Sequence, residues 1–339
     1  MRPTIREVAA RAGVAGMTVS RVVNHSGPVS EAVRARVEQA IDELGYVPSR
    51  LARGLRSRRT HTIALIVSDV TNPFFTTIAR GVEDAASDHE HLVMLCNTDE
   101  SEEEEARYLE MLASQNVDGV LLVPAGGAER AKALAKSHPL PIVLLERAVP
   151  DCELSLVRCD TRAGARQMVE HLLGLGHRQF AILSSPIGLR AADERVQGAL
   201  DAMRGTDATA TVLEERLSRE TAIRFIERCL ALGPRPTAVF ALNNLLTFGA
   251  LRALRAKGIA VPDDITLVGF DDLPAPLLEQ PFLTMVSQPA YEMGRTAVEQ
   301  LFAEIADPAA AGREVLLQPQ LVTRDSSSRP STAVAFPGT

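Results

Sequence analysis

Ile5, Val8, Ala9 and Ala12 fall on one face of a 3.6-residue repeat, with polar or charged residues between most of them. Thr4 and Glu7 frame the start of that segment as a capping box: the Thr4 hydroxyl takes a backbone N–H, and Glu7 reaches back three residues. Gly13 suits the left-handed position that ends a helix. A second short helix is expected from about Gly16 to Asn24, with Val19, Val22 and Val23 inward. A third runs from the N-cap candidate Ser30 through Val33, Val37, Ile41 and Leu44 to Gly45. Two short helices joined by a glycine turn and braced by a third describe a helix-turn-helix. The same periodicity also fits a plain three-helix bundle.

From residue 62 the period changes. Short β-branched or leucine-rich runs alternate with amphipathic helices. The expected strands are Ile63–Val67, Leu92–Cys96, Val117–Val123 and Ile142–Leu145, then Phe180–Leu183, Ala238–Ala241, Thr266–Phe270 and Met285–Ser287. Such alternation predicts parallel sheets with helices on both faces. Two series of strands predict two similar subdomains around a cleft, with a last helix at about Tyr291 to Ile305 returning to the first. The expected fold is therefore an all-α helix-turn-helix head plus an α/β body of two doubly wound subdomains. The expected boundaries are 1–46 for the head, 47–60 for a hinge and 61–325 for the body. Within the body the first subdomain takes about 61–160 and 291–322, and the second about 161–290. A Ser- and Pro-rich tail, 326–339, is expected to be disordered.

Charge sharpens the division. Residues 1–59 hold eleven arginines, no lysine and five acidic residues, a net charge of +6; the remainder carries −13. A basic head on an acidic body suits a protein that meets phosphate at one end only. The hinge segment contributes Pro48, a weakening Gly54 and five of those arginines. A helix that short is marginal alone. No apolar run reaches the roughly 20 residues of a membrane helix, and the first residues carry no signal-peptide pattern, so a cytoplasmic protein without membrane contact is expected. Cys96, Cys152, Cys159 and Cys229 are scattered, which predicts neither a zinc site nor a disulfide framework.

The ordered stretches Thr4-Ile-Arg-Glu-Val-Ala9, Ala12-Gly-Val14, Thr18-Val-Ser-Arg-Val-Val-Asn24, Val29-Ser30 and Glu43-Leu-Gly-Tyr46 resemble the head of the lactose-repressor (LacI/GalR) family. The resemblance implies that the second helix lies in the major groove. It marks Thr4, Ala15, Gly16, Met17, Thr18, Ser20, Arg21 and Asn24 as the DNA-facing set. Arg21 has the fork needed to grip guanine O6 and N7, Met17 offers only an apolar contact to a thymine methyl, and Gly16 has no side chain to read with. Thr18 and Ser20 suit phosphate, which positions without specifying. Met17 suits partial burial against the bundle equally well. Ala15 replaces the serine usual in the family, losing a cap worth about 1 kcal/mol. The resemblance further implies that the hinge folds on DNA, pairs with its dimer mate and wedges Leu55 into the minor groove, with Arg50, Arg53 and Arg56 on phosphates.

The body resembles the ribose-type periplasmic-binding-protein sensor of the same family. Doubly wound sheets bind ligands at the carboxyl ends of their strands. Asp69-Val-Thr-Asn72-Pro-Phe74-Phe75 follows the first strand, in a chain that is only 4% aromatic. Two phenylalanines offer a stacking face and Asn72 a hydroxyl partner; either ring also suits the core, and at least one is expected to reach a ligand. Glu146, Arg147, Arg195, Asn243, Asp271 and Gln288 stand at further matching positions, a set that satisfies a polyhydroxylated molecule. Arg195 and Asp271 also fit a structural ion pair. Glu146 stands where aspartate is frequent, and Asn244 where the family usually has aspartate.

No Walker loop, GxGxxG or GxSxG motif occurs, and the seven histidines lack metal-ligand spacing. His177 before its strand reads as structural. Glu102–Glu105 reads as the first turn of a helix. No cofactor is expected. The expectation is a homodimeric repressor that binds a near-palindromic operator and is released by a sugar or sugar derivative. The alternatives are a purine or nucleoside corepressor on the same scaffold and, in a different class, a sugar-modifying enzyme with a DNA-binding appendage. The C-terminal stretch carries no leucine heptads, which predicts a dimer rather than a tetramer.

Overall fold

The computed structural model describes residues 3–23, 26–46, 60–138, 140–185, 190–214, 219–273 and 281–331. Asn24, Arg50, Arg53, Leu55 and Arg56 lie outside them. The chain divides into two compact units, Met1–Thr60 and His61–Thr339.

The first unit holds α1 (Ile5–Ala12), α2 (Gly16–Val23) and α3 (Glu31–Leu44). Thr4 and Glu7 form the reciprocal capping box, and Gly13 closes α1 at φ 64°. Ser30 takes the extended N-cap conformation without a side-chain bond; its carbonyl accepts the first backbone N–H groups instead. Val8, Ala9, Ala12, Val19, Val22, Val37 and Ala40 form the buried centre. This core is thin, and an exposed ion pair between Arg11 and Glu43 ties α1 to the end of α3.

The second unit begins with β1 (Thr62–Val67), α4 (Pro73–Asp88), β2 (Leu92–Asn97), α5 (Glu102–Ser114), β3 (Gly119–Leu122), α6 (Glu129–Ser137), β4 (Ile142–Leu145) and β5 (Ser155–Cys159). After a crossover come α7 (Thr161–Leu175), β6 (Gln179–Ser184), α8 (Arg190–Met203), β7 (Thr209–Glu214), α9 (Arg219–Leu230), β8 (Ala238–Ala241), α10 (Asn244–Ala256), β9 (Thr266–Phe270) and β10 (Thr284–Ser287). The chain then returns through α11 (Ala290–Ala306), β11 (Glu314–Leu317) and β12 (Gln320–Val322). The sheets run β11-β5-β4-β3-β1-β2 and β12-β10-β9-β8-β6-β7. Among the described residues every pairing is parallel except β10 with β12. Strands such as β3, β4, β8 and β9 are buried along their whole length, as sheets covered on both faces require.

Two expectations are corrected. The return to the first subdomain ends at β11, because β12 pairs with β10 in the second sheet. The chain thus crosses between subdomains three times. Residues 326–331 of the expected loose tail are also held in the fold. Ser326 is fully buried; its hydroxyl donates to the Leu267 carbonyl at 2.6 Å and accepts from the Thr284 N–H at 2.8 Å. A small polar residue satisfies two backbone groups that apolar neighbours would leave bare. His177, fully buried, bonds Thr237 Oγ1 and the Ser328 carbonyl, each at 2.8 Å, and so fastens the same segment.

In the first subdomain α4 and α11 touch through glycines. A Cβ on Gly81 would lie 2.1 Å from the Tyr291 carbonyl oxygen, and one on Gly294 would lie 2.3 Å from that of Ile78. In the second, Gly198 of α8 meets the Arg162 carbonyl of α7 in the same way, at 2.1 Å. These contacts set how closely the covering helices approach, and α8 carries the central residue of the cleft.

Candidate functional site

On α2, Val19 and Val22 are buried while Met17 and Arg21 point outward one turn apart. Met17 is 55% exposed, which removes the expectation that it packs against the bundle. Gly16 and Ser20 are half-buried beside this stripe, Thr18 is half-buried, and Ala15 is exposed just before the helix. The Thr4 side chain is engaged with Glu7, accepting the Glu7 N–H at 3.4 Å and donating to its carboxylate at 2.9 Å. The exposed side of α2 therefore carries one guanidinium and one thioether.

In the body, the residues singled out after strand ends converge on Arg195. The Arg195 guanidinium, 5% exposed, lies 3.1 Å from Asp271 Oδ2 and 3.5 Å from Glu146 Oε1, and donates to the Leu242 carbonyl at 2.7 Å. Its plane sits over the Phe270 ring at 4.2 Å. Glu146 follows β4 in the first subdomain and Asp271 follows β9 in the second, so this triad spans the cleft. Gln288, after β10, donates to Asp271 Oδ1 at 2.6 Å. Burial pushes the Glu146 carboxyl above its usual range, against the pull of Arg147 and Arg195. Arg147 itself is spent on protein: it donates to Glu146, to both oxygens of Glu100 and to the Pro124 carbonyl. It braces Glu146, and four of its five N–H donors go to protein acceptors.

Asn72 and Asn243 have related tasks. Each caps the helix that follows it, Asn72 accepting from the Phe74 N–H and Asn243 from the Leu246 N–H. Phe74 and Phe75, each 6% exposed, pack edge-to-face within the first-subdomain core. The helix that Asn72 caps starts at once and turns both rings toward the sheet.

Ser68 and Asn244 were not among the candidate ligand contacts. Ser68, directly after β1, and Asn244, the first residue of α10, are buried, and each keeps a side-chain oxygen without a partner among the described residues. Arg195 Nε and Gln288 Oε1 do the same. A buried polar atom left unpaired costs about 1–3 kcal/mol, and four around one cleft mark a place where another molecule supplies the bonds. A serine ending an otherwise apolar strand was the available sequence signal.

A helix-turn-helix head joined in one chain to a two-lobed body with a buried polar cleft defines a ligand-responsive DNA-binding regulator. Residues 4–49 match the family described as bacterial regulatory proteins, lacI family, and residues 60–325 match periplasmic binding proteins and sugar binding domain of LacI family. The chain belongs to the LacI family of bacterial regulators. It is 35% identical to a ribose operon repressor of Halalkalibacterium halodurans, over 96% of this chain and 97% of that one. It is 32% identical to the transcriptional repressor PurR of Vibrio vulnificus, over 95% and 98%. Among solved structures, the lac repressor dimer bound to operator and the anti-inducer ONPF superposes with a TM-score of 0.86 at 28% identity, covering 97% of this chain and all of the other. Among the described residues no helix is long and apolar enough to cross a membrane.

Proposed function

We propose that this protein is a dimeric, cytoplasmic repressor that holds a near-palindromic operator and lets go when a sugar fills the cleft. It is a regulator and not an enzyme: the cleft groups bind and orient, and they are paired with one another rather than poised against a nucleophile. In this reading residues 47–60 form the hinge, with Leu55 as its wedge and Arg50, Arg53 and Arg56 on phosphate. Met17 and Arg21 read bases; Arg195, Asp271, Glu146, Asn243 and Gln288 hold the effector.

The observation that carries this reading is the Glu146–Arg195–Asp271 triad closed across the cleft. Carboxylates from both subdomains share one cation, and a hydroxylated ligand inserted there exchanges bonds with both lobes at once. The ligand acts only by favouring the conformer that does not bind DNA. The ribose operon repressor among the relatives points to a pentose; PurR points to a purine corepressor on the same scaffold. Thermal-shift titration of the full chain with D-ribose, other aldoses and hypoxanthine, followed by operator binding with and without the hit, tests both. A stabilising aldose that releases operator supports the sugar reading. A purine that tightens operator binding replaces it.

A further inference from the structure

Asn72 and Asn244 meet across the cleft, and their polarity is fixed by the backbone. The Phe74 N–H donates to one side-chain atom of Asn72 at 3.0 Å, so that atom is the carbonyl oxygen. The Asn244 atom 2.8 Å from the same oxygen must then be its amide nitrogen, Nδ2. This leaves Asn244 Oδ1 as a sealed acceptor, in a residue only 1% exposed, with no partner among the described residues. Gln288 obeys the same logic. Its Nε2 faces the acceptor-only carboxylate of Asp271, which leaves Oε1 buried and without a partner among the described residues.

We propose that Asn244 is a latch and a specificity-determining residue: its Nδ2 holds the capped N-terminus of α4 against α10, and its Oδ1 demands a hydrogen-bond donor from the effector. The pinned amides make the demand directional. A molecule that brings hydroxyl or N–H donors to Asn244 Oδ1 and Gln288 Oε1 satisfies both; one that brings only ether or keto oxygens leaves two acceptors facing acceptors. The same geometry explains why asparagine serves at 244 in this chain. An aspartate there would set a carboxylate oxygen against Asn72 Oδ1, and turning the Asn72 amide to meet it would strip the Phe74 N–H of its cap.

The latch is tested on the full chain without effector by hydrogen-exchange mass spectrometry. Asn244→Ala should speed exchange in the first turn of α4, in the opposite subdomain, by about 2- to 12-fold, the worth of one buried hydrogen bond. Asn72→Ala should do the same to the first turn of α10. Asn244→Asp should loosen both ends at least as much as Asn244→Ala. Unchanged exchange in α1, β4 and β9 shows that each variant is folded. Faster exchange confined to the variant's own helix, or an aspartate variant as protected as wild type, overturns the latch.

The specificity half rests on the sugar reading given above and uses calorimetry with D-ribose and its monodeoxy analogues. One analogue should bind wild type about 10-fold more weakly than D-ribose, and that loss should vanish in Asn244→Ala. Equal losses in both proteins remove Oδ1 from the ligand contact. If D-ribose does not bind wild type, the pentose reading falls, while the exchange experiment still decides the latch.

Discussion

Glu146 and Asp271 grip Arg195 from opposite subdomains with the same backbone geometry. Their φ angles are 64° and 65°, both left-handed, and each directly follows the last residue of a strand. The strands, β4 and β9, are third from the same edge of their respective sheets. A left-handed non-glycine residue costs of order 1 kcal/mol or more. It is spent twice here to turn a carboxylate back over the strand end, and the two turned carboxylates share one guanidinium.

Asp271→Ala removes one carboxylate and leaves Arg195 Nη1 and Gln288 Nε2 short of an acceptor. Effector affinity should fall by about 2–5 kcal/mol while operator binding persists, a repressor that no longer responds. Calorimetry paired with operator titration checks both halves. Arg195→Ala is the harsher change, since it leaves two buried carboxylates facing each other; about 3–5 kcal/mol of body stability should go with it in denaturant titration.

His177 gives the body an acid-sensitive joint. Burial holds its pKa, and that of His171, below the usual 6.5. Below 6.5 the unfolded chain takes up protons that the native chain resists, so this contribution is complete above 6.5 and is lost as pH falls through the lowered native values. Glu146 and Glu105, both raised by burial, act in the opposite sense, their contribution fading as pH rises above 4.5. The informative quantity is therefore a difference. Between about pH 7.5 and about pH 5.5, the denaturant midpoint of His177→Gln should shift toward acid less unfavourably than that of wild type. Parallel midpoints would show that His177 does not titrate with unfolding.

Ser326→Ala should destabilise the second subdomain by about 1–3 kcal/mol, because the Thr284 N–H and the Leu267 carbonyl each lose a buried partner. Thermal unfolding reads the loss; a change of only a few tenths would mean that water replaces the hydroxyl.

Gly81→Ala should force α4 away from α11, since its methyl would enter the Tyr291 carbonyl. Overpacking of this kind costs about 1–3 kcal/mol. Gly174→Ala makes the control, because nothing lies within 4 Å of a Cβ there.

Arg21→Ala should weaken operator binding and relax the preference at one guanine per half-site, by about 1–3 kcal/mol. Binding to matched and mutated operators separates this from a phosphate contact, whose loss would be equal on every sequence.

The buried strands were legible because nothing competes with their apolar runs: β4, β8 and β9 begin and end where the sequence pattern places them. β7, β11 and β12 were missed because they are edge strands with alternating half-exposed residues. β5 was missed for another reason: Ser155 and Arg158 interrupt its apolar pattern, yet Arg158 finds Glu194 and Glu314. Serine and proline content suggested a loose tail, where the fold uses Ser326 as a backbone partner. At the cleft, residue types and strand-end positions were readable. What each side chain bonds to was not: nothing in the pattern around Arg147 announces its bonds to Glu100, Glu146 and Pro124.

The glycine-mediated crossing of α4 and α11 has a consequence for synthesis on the ribosome. Tyr291, whose hydroxyl also bonds Asp84 at 3.0 Å, lies 207 residues downstream of it. The strands around β1 are made early, yet α11, which shares with α4 the covering of one face of their sheet, and the edge strand β11 are translated only after most of the second subdomain. Until then the nascent chain carries a sheet whose face over β3, β4 and β5 lacks its helix. Such a surface invites aggregation or chaperone capture during translation. The second subdomain, lacking only its short β12 and the Ser326 segment, can assemble first. The order of folding should therefore invert the order of the sheets along the message.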